Sequence, residues 1–284
     1  MRTRFAPAPT GWLHLGHVLN AEYVWTCGAD VLLRIEDHDR ARCRPEYEAG
    51  ILDDLDWLGF TPAFYPTDAF RAGRCDGRQS DRDAVYREAV TELRAQGIVY
   101  ACDCSRRQIA DRTAATRPDA AAERMELAEI WYDGHCRDRG LPLADGVGWR
   151  VRMDPGVERF VDRRLGPQEQ DPSRQSGDVL IRDRAGNWTY QFCASVDDFR
   201  QGIDLVVRGE DLLPSTGRQI RLAQLLGRST PAAFLHHPLI MKSPAQKLSK
   251  SDGDTGVRDL RSIGWTAEAV KRVAWELLRV IPDH

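Results

Sequence analysis

The sequence predicts an α/β fold: a Rossmann-type parallel sheet interrupted by an inserted subdomain and followed by a short C-terminal helical segment. Three observations carry this. Strand and helix signals alternate through the first part of the chain. Short strands separated by turns then crowd the middle. Alternation returns afterwards, as expected when one sheet is built from two separated halves.

Val31-Leu32-Leu33-Arg34-Ile35 reads as a buried strand. Pro45 opens a helix over 45–58, with Ile51, Leu55 and Leu58 at helical spacing and Gly59 as its stop. A second helix is expected over 81–96, with Val85, Ala89 and Leu93 on one face and Gly97 behind it. Residues 99–101 read as a short strand, as do 148–154, 159–162 and 178–182, and Ala185-Gly186-Asn187 reads as a hairpin turn. Residues 204–208 form a strand, 215–226 a helix closed by Gly227, and 266–279 a last helix capped by Thr266. The expected spans are 1–100 and 186–240 for the two halves of the sheet, 101–185 for the insertion, and 241–284 for a loop and the terminal helical segment.

Hydrophobic residues make up 42% and charged residues 29% of the 284, which excludes a mainly disordered chain. No apolar run approaches the roughly 18 residues that cross a bilayer, and no apolar stretch follows the basic N-terminus, so neither a membrane partner nor a secretory leader is expected. Seven scattered cysteines, an odd number, favour a cytoplasmic protein with thiols or a metal site over a disulfide scaffold. A net charge of −3 neither announces nor excludes nucleic acid, because a local basic face suffices. Only four of the 40 basic residues are lysine, and Lys242, Lys247 and Lys250 fall within nine residues. Such a cluster suits phosphate binding, and a chance group on a solvated loop is the equal alternative.

No Walker A or G-x-G-x-x-G pattern is present. A proline-rich loop instead leads through His14-Leu15-Gly16-His17 into an amphipathic helix. His14 and His17 share a face of its first turn, where backbone N–H groups make an anion site and Gly16 lets a ligand approach the backbone. Two surface histidines at a helix start, or half of a metal site, are the competing readings. The second candidate is Lys247-Leu248-Ser249-Lys250-Ser251, two ammonium groups and two hydroxyls on a short loop able to close on a polyphosphate; a solvated charge run is its competitor.

Taken together, these two stretches resemble the paired signatures of class I aminoacyl-tRNA synthetases. Arg4-Phe5-Ala6-Pro7-Ala8-Pro9-Thr10-Gly11, Arg34-Ile35-Glu36-Asp37, Trp188-Thr189-Tyr190-Gln191 and Val207-Arg208-Gly209-Glu210-Asp211 are similar to the glutamyl branch, over nearly the whole chain. The sequence ends soon after Lys250, so the resemblance is to short members of that branch. These comprise the catalytic half without a helical anticodon-binding domain, and they attach glutamate to the queuosine base of tRNA-Asp. Cys102-Asp103-Cys104 and Tyr132-Asp133-Gly134-His135-Cys136 look like their zinc site. Three cysteines and one further donor satisfy tetrahedral zinc. Ligand chemistry alone favours His135 as the fourth donor, whereas the family pattern points to Tyr132; Tyr132 is taken here, with His135 as rival and three free thiols as the remaining alternative.

The resemblance further implies ATP with Mg2+ and L-glutamate as substrates, one structural Zn2+, and a monomer acting on tRNA-Asp that carries queuosine. It implies His14, His17, Lys247 and Lys250 as catalytic residues, and the same four with Gly16 and Glu210 as the ATP site. Arg4, Ala6, Ala8, Glu36, Tyr190 and Arg208 are the implied glutamate site. Ala8 departs from the family pattern, which has serine there; Thr10 or the backbone is left to make that contact. The alternatives are a ligase passing an activated amino acid to a small amine or thiol, glutamyl transfer to an ordinary tRNA 3′ end, and a non-enzymatic RNA-binding protein.

Overall fold

β1 (Arg2–Phe5), α1 (Leu15–Thr26) and β2 (Asp30–Leu33) form the first β-α-β unit, with β1 and β2 paired in parallel. The helices α2 (Pro45–Leu58), α3 (Thr67–Arg71) and α4 (Asp83–Ala95) follow. Next come β3 (Val99–Cys102), α5 (Arg106–Thr116), β4 (Gly148–Val151), the hairpin of β5 (Glu158–Asp162) and β6 (Gly166–Gln170), the single turn α6 (Pro172–Gln175) and β7 (Val179–Arg182). Alternation then returns with α7 (Tyr190–Arg200), β8 (Leu205–Gly209), α8 (Thr216–Leu225) and β9 (Ala233–His237). β10 (Met241–Ser243), β11 (Gln246–Lys247), α9 (Val257–Ser262) and α10 (Ala267–Arg279) complete the elements. The structure is a computed structural model and describes residues 1–116, 130–243, 246–247 and 256–279. Among these no helix is long and apolar enough to cross a membrane.

β8 and β9 pair in parallel, β9 takes β5 in parallel, and β5 carries β6 antiparallel. β1 runs beside β8, where the Asp204 N–H donates to the Arg2 carbonyl at 2.9 Å. β3, β4 and β7 form a separate antiparallel sheet. Segment 101–185 is therefore divided between two sheets. β4 and β7 belong to the small one, while β5 and β6 extend the large one because Phe160 packs edge-on against Phe234 of β9, with ring centroids 5.3 Å apart.

The main core gathers Phe5, Leu19, Leu33, Ile51, Leu55, Val207 and Val270 from both sheet halves and the last helix. Each such side chain, fully buried, contributes about 1.5–3 kcal/mol. α2 occupies the expected span, and Gly59 ends it in the left-handed region at φ 73°. The expected helix over 81–96 divides into a 3-10 turn, Gln79–Arg82, and α4. Its buried face carries Tyr86, Ala89, Val90 and Leu93, with Val85 at the margin, because the Tyr86 hydroxyl donates to buried Asp197 at 2.9 Å. α7, β6 and β9 were not anticipated. α7 buries Gln191, Ser195, Asp197 and Asp198, so it lacks the apolar period that marks a helix.

Asp54 sits on the buried face of α2, and its Oδ2 has no hydrogen-bond partner. Burial pushes its pKa up to about 6, against the attraction of Arg261. The unfolded chain ionises this group near pH ~4. Folding is therefore increasingly penalised as pH rises from about 4 to about 6, and the full penalty stands above that. Asp54→Asn is expected to stabilise the fold by about 1–3 kcal/mol at neutral pH, with the gap closing below pH ~4. Urea melts across that range check this; a gap independent of pH would contradict it.

Candidate active site

His14 is the N-cap of α1. Its Nδ1 accepts the Gly16 N–H at 3.1 Å, while Nδ1 of His17 accepts the His14 N–H at 3.1 Å. This reciprocal cap fixes both rings, whose centroids lie 3.9 Å apart. Because both Nδ1 atoms are acceptors, the neutral rings carry their protons on Nε2. The chain on the far side of the lysine segment is fastened here too. Gly256 bridges to His14, and the Val257 N–H donates to the Leu13 carbonyl at 2.8 Å. The backbone of Lys247 lies in β11, paired with Met241. Lys250 falls outside the described residues, so its placement relative to the histidines is not seen.

Arg4 projects from β1, and its Nε donates to Asp198 Oδ1 at 3.1 Å and its Nη1 to the Val207 carbonyl at 3.1 Å. Arg34, wholly buried, donates from Nη2 to the same Asp198 oxygen at 2.7 Å and from Nε to Gln201 at 3.0 Å. Its Nη1 is 3.5 Å from Glu36 Oε1. Burial disfavours these charges, but Arg4 and Arg34 outweigh it at Asp198 and hold that carboxyl below its usual range. Burial raises Glu36, against the attraction of Arg34 and Arg4. Burial also raises the Tyr190 hydroxyl, and nearby Glu36 adds to the shift.

Arg208, on β8, donates to three neutral acceptors: Nε to His236 Nε2 at 3.0 Å, Nη1 to Gln219 Oε1 at 2.6 Å, and Nη2 to Thr216 Oγ1 at 2.9 Å. One cleft of about 780 Å³ brings Arg4, Ala6, Ala8, Glu36, Tyr190 and Arg208 together with His14, Gly16 and His17. Glu210 departs from the expected set. It is turned outward onto Arg164, and its neighbour Asp211 lines the cleft instead.

A second cluster lies at the end of β3. The sulfurs of Cys102, Cys104 and Cys136 are all within 4.8 Å of one another, and those of Cys104 and Cys136 are 3.5 Å apart. Tetrahedral zinc with bonds of ~2.3 Å separates its sulfurs by ~3.8 Å, so the donor set fits that ion. The Tyr132 hydroxyl is 3.4 Å from Cys102 Sγ and accepts the Cys136 N–H at 2.9 Å. Tyr132 is seated by Gly177 at φ 67°, where a Cβ would fall 1.9 Å from the Tyr132 carbonyl oxygen. His135 is exposed and lies outside the cluster. Cations surround the donors: Arg112 donates to Cys104 Sγ and Arg139 to Cys136 Sγ, each at 3.4 Å, and Arg150 stacks 3.7 Å over the Tyr132 ring. A thiolate-rich metal centre carries net negative charge, which such outer arginines balance.

The pattern of tRNA synthetases class I (E and Q), catalytic domain, matches residues 1–274. The chain belongs to this family. It is 38% identical to a glutamyl-Q tRNA(Asp) synthetase of Rhodobacter capsulatus, over 96% of this chain and 99% of that one. It is 41% identical to a second bearing that description, from Cupriavidus metallidurans, over 89% and 77%. A crystal structure of glutamate tRNA ligase from Elizabethkingia meningosepticum, in complex with its amino acid, superposes with a TM-score of 0.69 at 27% identity, covering 93% of this chain and 53% of that one. The chain thus spans about half the length of that ligase.

For this class I E and Q member, the structure adds Asp198, Asp162 and His236 behind the expected cleft residues, and it buries Arg34, named in the sequence only as part of its motif, against Asp198. No local pattern distinguished Asp198, Asp162 or His236.

Proposed function

We propose that this chain activates L-glutamate with ATP and transfers it to the queuosine base of tRNA-Asp. The observation that carries the reading is one cleft holding Arg4, Arg208, Glu36 and Tyr190 beside a histidine-capped helix N-terminus. Glutamate presents two carboxylates and one ammonium. Arg208 offers a rigid fork to a carboxylate, Glu36 an anion to the ammonium, and Tyr190 a hydroxyl. A substrate carboxylate oxygen bonds to the α-phosphorus of ATP as the bond to pyrophosphate breaks, giving glutamyl-adenylate. His14 and His17, at the helix N-terminus that they cap, would contact the phosphates and the adenosine. Lys247 and Lys250 supply ammonium groups to the departing pyrophosphate, which leaves with the Mg2+ that accompanied ATP. A queuosine hydroxyl then attacks the acyl carbonyl and AMP leaves. The acceptor follows from the relatives, one of them matched along 99% of its length. Cys102, Cys104 and Cys136, with the Tyr132 hydroxyl beside them, would hold one Zn2+ as a structural tie. The reading places a monomer in the cytoplasm.

The test is transfer of labelled glutamate, with ATP, to tRNA from cells that make queuosine and from cells that cannot. Label on the queuosine-containing tRNA alone is expected. Label on both would move the reaction to the 3′ end. Label on neither would overturn the acceptor.

A further inference from the structure

We propose that Asp162 and His236 are positioning residues that fix the plane of Arg208 without placing a carboxylate in contact with it, and so set the cleft's preference for a substrate carboxylate. This rests on the glutamate reading above. The observation is a buried chain of contacts crossing three strands. Asp162, at the end of β5, uses both oxygens. Oδ1 accepts the N–H groups of Arg164 and Leu165, each at 2.9 Å. Oδ2 accepts the His236 backbone N–H at 3.0 Å and lies 2.7 Å from His236 Nδ1. Both side chains are wholly buried.

A carboxylate facing Nδ1 puts the ring proton there and leaves Nε2 as the acceptor. Nε2 is the atom that receives Arg208 Nε. Burial and Arg208 push the His236 pKa down to about 4, so the ring is neutral at neutral pH. The other partners of Arg208, Gln219 and Thr216, are also uncharged.

Arg4 and Arg34 are held differently, since both bond Asp198 directly. A direct carboxylate orients a guanidinium but cancels its field. At Arg208 the anion is set back behind an imidazole ring. The fork is aimed by the neutral groups of His236, Gln219 and Thr216, while Asp198 attracts it from farther off.

Two isosteric variants separate charge from shape. His236→Gln keeps a neutral acceptor, and His236→Glu places an anion against Arg208. Asp162→Asn strikes the tautomer, because each Asp162 oxygen faces hydrogen-bond donors and an amide NH2 fits neither place. The readout is glutamate-dependent ATP–pyrophosphate exchange, resolved into KM for glutamate, KM for ATP and kcat. His236→Glu and Asp162→Asn are expected to raise KM for glutamate at least about tenfold while KM for ATP stays within about twofold; His236→Gln is expected to stay within about fivefold on both. Parallel changes in both KM values, or Gln and Glu variants that behave alike, would overturn the proposal. A second readout needs no variant and no turnover: the 15N spectrum of the His236 ring in the native chain. A proton on Nδ1 supports the relay, and a proton on Nε2 overturns it. Absence of glutamate-dependent exchange in the native chain would sink the proposed function instead, and the ring spectrum still decides the relay.

Discussion

Arg208→Ala is expected to lower kcat/KM for glutamate in pyrophosphate exchange by about a thousandfold, roughly 4 kcal/mol, with KM for ATP nearly unchanged. The size follows from what is lost. A desolvated cation facing a carboxylate disappears, and Gln219 and Thr216, which receive two of its N–H groups, lose their donor. Arg208→Lys keeps the charge and is still expected to lose about tenfold to a hundredfold, because one ammonium cannot satisfy three divergent acceptors. Steady-state exchange with each substrate varied in turn at a saturating level of the other measures both variants. Equal losses in the two substrates' KM values would mean that Arg208 supports the fold rather than the pocket.

Cys136→Ser is expected to strip the zinc and loosen the lobe around it. The native chain, purified without chelator, should contain about one zinc, and the variant far less. Cys102, Cys136, Tyr132 and Ile109 make a small buried cluster apart from the main cores. Structural zinc supplies on the order of 10 kcal/mol in small sites, so its loss is expected to loosen this cluster. Metal analysis and limited proteolysis across 102–141 read the two effects separately. A native chain with no bound zinc that resists proteolysis as well as the zinc-loaded form would remove the metal from the account.

Legibility in the sequence tracked how local each determinant is. α2 is written in adjacent residues, Pro45 at its start and Gly59 at its stop, and the structure places it on those bounds. The two histidines were legible for the same reason, since a capped helix start is a matter of four residues. β6 and α7 were not. β6 reads Gly-Pro-Gln-Glu-Gln, with almost no apolar side chain, and exists because β5 lies beside it. α7 turns Asp197 and Asp198 inward to neutralise Arg4 of β1, Arg34 just after β2 and Arg82 of the 3-10 turn, all distant in sequence. The cleft showed the same division. Arg4, Glu36, Tyr190 and Arg208 were named only through the resemblance, because each alone is an ordinary polar residue. Asp162 and His236 lie 74 residues apart in sequence and meet only when β5 docks on β9, so no window of sequence holds them both.

The attachment of Gly256 to His14 has an entropic consequence for the two ends of the chain. Bringing together segments about 240 residues apart costs a flexible chain roughly 5 kcal/mol of closure entropy. The hydrogen bond from Val257 to Leu13 closes that long circuit as part of folding, so the histidine turn and the last helices meet any substrate already joined.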